Sequence, residues 1–120
     1  MPAEKKPKVV KKKIQPYPFE GTLDMNANKK PIDVIKISQL GFVAKLRGQF
    51  VNVGDHYLAT FELPVMKEFI NTPVRVLKTF DKTTDLATRK VERVAEFHFE
   101  KLIAEHKARI SAFLKAIGQN

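Results

Sequence analysis

The chain has 120 residues, 43% of them hydrophobic, which suits one domain with a modest core and excludes a wholly disordered polymer. It contains no cysteine, so disulfides, thiolate metal sites and cysteine nucleophiles are excluded. The formal charge of +9 is uneven: residues 1–13 carry six lysines and one glutamate, a net +5, and the other 107 residues carry 16 Lys+Arg against 12 Asp+Glu, a net +4.

Met1–Lys13 reads as a disordered basic tail, because Pro2, Pro7 and the like charges disfavour a helix. Residues 14–120 form the expected folded unit. Such a tail attracts polyanions through counterion release, with little intrinsic specificity. It leads into no apolar signal region, and no apolar run approaches the length of a membrane span. The expected location is therefore cytoplasmic.

Pro16 and Pro18 keep the chain extended around Tyr17. Phe19–Met25 predicts a first strand, Asn26–Lys30 a polar turn, and Pro31 the edge of a second strand over Ile32–Ile37. Strict alternation would place Ile32, Val34 and Lys36 on one face and Asp33, Ile35 and Ile37 on the other. The tight SQLG segment, Ser38–Gly41, then reverses the chain into Phe42–Leu46, where Phe42, Ala44 and Leu46 share a face. Gly48 and Gly54 punctuate the connection to His56–Leu63, whose Tyr57, Ala59, Phe61 and Leu63 form a core face ended by Pro64.

A further strand is expected over Asn71–Asp81, a hairpin loop over Lys82–Arg89, and a return strand over Lys90–Phe99 with Val91, Ala95, Phe97 and Phe99 on one face. Phe50, Tyr57, Phe61 and Phe80 read as core aromatics. The period then becomes helical. Phe99, Leu102, Ile103, His106, Ile110, Phe113, Leu114 and Ile117 trace an apolar stripe among alanines, and Gly118 stops it. One amphipathic helix cannot bury itself, so it should cover the barrel end or pair with another subunit. Six short strands and a helix suggest a closed antiparallel barrel, which would also protect the strand edges.

No catalytic constellation stands out. His56, His98 and His106 lack a compact metal-ligand spacing, and the carboxylates form no evident acid–base pair. Ser38 sits at a turn, but ISQLG lacks the flanking glycines of a nucleophile elbow. Its hydroxyl suits turn capping or a ligand contact. Gly41 suits a positive-φ position and would also let a phosphate approach the backbone. A nucleic-acid barrel would set aromatics beside basic residues, and the nearest such group is Phe42, Val43, Lys45 and Arg47.

The order of segments resembles a PilZ domain over residues 14–117. The resemblance is carried by strand–SxxG–strand at Asp33–Leu46, GDHYLATFELP at Gly54–Pro64, a strand at Val74–Phe80, VERVAEFHF at Val91–Phe99, and the terminal helix. It implies an all-β, six-stranded antiparallel barrel with a C-terminal α-helix. Many members bind cyclic di-GMP through an RxxxR segment before the first strand and a [D/N]xSxxG turn after the second. Ser38 and Gly41 match that turn, whereas Lys36 stands where the family has Asp or Asn. No arginine precedes Arg47; Lys8 and Lys12 are the upstream lysines with the RxxxR spacing.

Lysine lacks arginine's planar fork. Loss of one bidentate contact costs ~1.5–3 kcal/mol, or about 10–100-fold in affinity. The resemblance thus implies a non-catalytic regulatory or adaptor domain in cyclic-di-GMP-related signalling, with weak or absent nucleotide binding, no cofactor and no metal. Residual binding would use Lys8, Lys12, Lys36, Ser38 and Gly41, and a regulatory protein is the expected partner. The alternatives are a functional cyclic-di-GMP receptor using those lysines, and an RNA-binding barrel using the tail with Lys45 and Arg47.

Overall fold

The computed structural model describes residues 16–118 except 26, 86, 88 and 89. The basic tail, with Lys8 and Lys12, lies outside the described residues. Among those described, the elements run β1 (Phe19–Met25), β2 (Asn28–Ile37), β3 (Gly41–Leu46), β4 (His56–Leu63), β5 (Glu68–Asp85), β6 (Lys90–Phe99) and α1 (Ala104–Ala116). Every strand pairing is antiparallel, in the closed order β1-β2-β3-β6-β5-β4. Pairing of β1 with β4, from Gly21↔Phe61 to Asp24↔Leu58, closes the ring and removes the sheet edges there. The expected six-stranded barrel with one C-terminal helix is the observed architecture.

Alternation holds on β3 and β4. Phe42, Ala44, Ala59, Phe61 and Leu63 are buried, with Leu46 beside them. On β2 it fails at one residue. The register jumps between Val34↔Ala44 and Lys36↔Val43, leaving Ile35 as a bulge. The bulge switches faces, so Ile32, Val34 and Ile37 all point inward while Lys36 is exposed. A strict period of two had put Ile37 and Lys36 on the wrong sides.

The β5–β6 hairpin also departs from expectation. β5 begins at Glu68 rather than Asn71 and runs to Asp85, through the segment read as a loop. β6 supplies the missing reason: its backbone pairs with β5 as far as Asp85↔Lys90, so a polar sequence still forms a ladder. Val91 on this extension is 56% exposed, and Phe80 is also exposed; neither is a core residue. Phe50, in the loop after β3, is 74% exposed and lies under the Arg93 guanidinium at 5.0 Å. The expected turn Asn26–Lys30 is tighter than the sequence suggests, because β2 already pairs at Met25↔Asn28.

The helix packs on the barrel. Ile110 and Phe113 are fully buried and Ile117 nearly so. Phe113 sets its edge against Tyr17 and Phe19 at 6.5 and 6.1 Å. From Phe19 the ring contacts continue through Phe61 and Phe42 to Phe97, at 5.9, 5.5 and 4.9 Å. Each such buried side chain contributes about 1.5–3 kcal/mol by leaving water. Ile103, expected on the buried stripe, is half exposed because it is the extended residue preceding the helix. Gly118 follows the last turn at φ +80°, and its N–H donates to the Lys115 carbonyl at 3.1 Å.

Candidate functional site

The Ser38–Gly41 turn joins β2 to β3 and is fastened on three sides. Within the turn, the Ser38 N–H donates to the Gly41 carbonyl at 2.8 Å, and the Leu40 N–H donates to Ser38 Oγ at 3.2 Å. Towards β6, the Phe99 N–H donates to the Leu40 carbonyl at 2.9 Å. Towards α1, Gln39 Nε2 donates to Ser111 Oγ. The Ser38 hydroxyl therefore acts as a turn cap, one of the two roles its position suggests.

Gly41 is required for a different reason from the one expected. Its φ is not positive. A Cβ there would lie 1.9 Å from the Phe97 carbonyl oxygen and 2.9 Å from His98 Cα. The glycine lets β3 approach β6, and the space beside its α-carbon is filled by protein backbone.

A groove of about 270 Å³ lies over the turn, lined by Lys36, Ser38, Gly41, Glu96, Phe97 and His98 among others. Lys36 is exposed, and its side chain makes no ion pair or hydrogen bond among the described residues. Three of the five expected ligand residues thus share one groove, and Lys8 and Lys12 lie outside the described residues. Glu96 and His98 were not singled out from sequence as ligand residues. The β3–β6 ladder brings them in, through Val43↔Glu96 and Gly41↔His98, and no local motif marks them. Tyr17 is a further neighbour: its Oη accepts the Ile37 N–H at 3.3 Å. Burial pushes its phenol above the ordinary tyrosine value, partly offset by that hydrogen bond.

The group read as an RNA contact is committed elsewhere. Phe42 is 2% exposed and stacks on Phe97. Lys45 pairs with Glu92 at 3.5 Å. Arg47 Nε donates to Asp33 at 3.0 Å, a second nitrogen bonds the other Asp33 oxygen, and Nη1 reaches Glu20 at 3.1 Å. Hydrogen bonding by Arg47 holds the Asp33 carboxyl below the usual range against a smaller desolvation effect. The histidines are dispersed: His56 Nδ1 lies 2.7 Å from Glu100, and His98 Nε2 lies 3.8 Å from Glu96.

No protein-family model matches the sequence, and no curated protein matches it. Among solved structures, the chain is similar to the PilZ domain of YcgR from Escherichia coli, a structure with cyclic di-GMP. The TM-score is 0.73 at 7% sequence identity, covering 85% of this chain and 82% of that one. The fold is PilZ-like. The PilZ-like barrel holds its SxxG turn at the same junction of β2 and β3 that the sequence indicates. Among the described residues, no helix is long and apolar enough to cross a membrane.

Proposed function

We propose that this PilZ-like barrel is a non-catalytic regulatory or adaptor domain in cyclic-di-GMP-related signalling that binds the nucleotide weakly or not at all. The likeness to a PilZ domain solved with cyclic di-GMP supports the pathway. One observation carries the weak binding: the Ser38–Gly41 turn uses its polar groups on itself and on β6. Ser38 Oγ takes the Leu40 N–H, and the Phe97 carbonyl occupies the space beside Gly41. Lys36 adds a cation where the family pattern has an acceptor for guanine, so base recognition loses a partner. The remaining attraction is electrostatic, from Lys36 and the lysine-rich tail, and it should fall with salt.

Calorimetric titration of the full chain with cyclic di-GMP at moderate salt tests this reading. The expected dissociation constant is weaker than about 1 μM, or binding is undetectable. Submicromolar affinity would overturn it. Where weak binding is measured, Ser38→Ala and Lys36→Ala should each weaken it further without unfolding the barrel. Unchanged affinity in both variants would place the ligand elsewhere.

A further inference from the structure

Four arginines lie among the described residues. Arg47, Arg93 and Arg109 each lie against a carboxylate: Asp33 and Glu20, Asp81, and Glu105, respectively. Arg75 differs. It is exposed, and its side chain has no hydrogen bond or ion pair among the described residues.

Its place in the barrel is specific. Cross-strand pairing aligns His56↔Arg75, Arg75↔His98 and His98↔Gly41, so one row crosses β4, β5, β6 and β3 and ends at the SxxG turn. At a strand spacing of about 4.8 Å, Arg75 stands roughly 10 Å from Gly41. The carboxylates beside this row have other partners: Glu100 lies 2.7 Å from His56, Glu96 lies 3.8 Å from His98, and Asp55 accepts from the Asn52 N–H and the Tyr57 hydroxyl. None pairs with Arg75. A second groove, of about 270 Å³, lies over Arg75, His98, Phe99 and Glu100. His98 is a wall of both this groove and the one over the turn.

An uncompensated guanidinium beside a groove offers a planar fork of donors that matches two oxygens of a phosphate. The adjoining imidazole of His98 adds an N–H donor. We propose that Arg75 and His98 form an anion subsite that takes a phosphate of a phosphodiester nucleotide lying along this row towards Ser38. The subsite stands on the phosphate chemistry alone; only the identity of its ligand as a cyclic dinucleotide rests on the function proposed above. It would place part of the lost arginine function on β5, at a position distant in sequence from any upstream tail.

Amide NMR spectra of the full chain, titrated separately with sodium pyrophosphate and with cyclic di-GMP, test the proposal. Both probes should shift the amides of residues 74–76 and 97–99. Arg75→Gln should weaken both by about 10-fold, with the rest of the spectrum unchanged because the Arg75 side chain makes no hydrogen bond or ion pair among the described residues. Lys107→Gln, an equal charge loss on the helix, should change them less than about 2-fold. Equal loss in the two variants would show diffuse attraction and overturn the subsite. So would shifts confined to residues 1–13, or none at residues 74–76 and 97–99. Pyrophosphate binding dependent on Arg75, with no gain for cyclic di-GMP, would uphold the subsite and remove the cyclic-dinucleotide reading. Cyclic-di-GMP binding untouched by Arg75→Gln would do the reverse.

Discussion

The two faces of the β3–β6 wall do different work. The inner face carries Phe42, Ala44, Ala95 and Phe97, all buried in one cluster. The outer face carries His98, flanked by Lys36 on β2 and Arg75 on β5, two cations whose side chains have no partner among the described residues. Interior groups are constrained by close packing, where a missing methylene is felt. Outer groups are free to vary unless a ligand uses them. A charged outer residue that neutralises a neighbour, such as Arg47, belongs energetically with the fold. One that neutralises nothing, such as Arg75, is a candidate for binding.

Substitutions on each face can break this contrast. Phe97→Ala should have the largest effect, about 3–5 kcal/mol of lost stability from a cavity beneath the aromatic chain. Denaturant unfolding measures it, and a loss below about 1 kcal/mol would mean that the inner face is not tightly packed. Gly41→Ala should follow, at about 1–3 kcal/mol or more, because the methyl must displace the Phe97 backbone. The same titration checks it; a neutral result would show that β3 and β6 can separate without cost.

On the outer face, Arg47→Gln should lower the melting temperature modestly. It should also flatten the acid limb of stability. Asp33 has a folded-state value below its unfolded value of about 3.9, so its contribution is present above that pH and lost as pH falls through the lower folded value. Without Arg47 that loss should shrink, leaving only the weaker attraction of Lys45, which melting curves between about pH 5 and 2 would reveal. Arg75→Gln should be the mildest, within about 0.5 kcal/mol of wild type. A clear destabilisation there would show a structural partner for Arg75 and weaken its assignment to binding.

Local pattern in the sequence was enough for the succession of six strands along the chain, the stopping of β4 at Pro64, the inward faces of β3 and β4, and the terminal helix. These follow from local periodicity, from proline's missing N–H and from helical spacing, all of which act within a few residues. The Ser38–Gly41 turn was legible too, because a turn must be polar, small or flexible, whereas Lys36 was singled out by the resemblance to the PilZ pattern. Tertiary structure alone decided the rest. The Ile35 bulge exists because Ile37 must reach the core opposite Phe42, a demand set by β3. The length of β5 is set by β6, whose backbone supplies hydrogen bonds that residues 82–85 cannot supply themselves. Gly41 is fixed by a carbonyl 56 residues away, Phe97, rather than by its own φ. Arg75 and His98 became neighbours of the turn only through barrel pairing, since register between distant strands brings together side chains that no local pattern links.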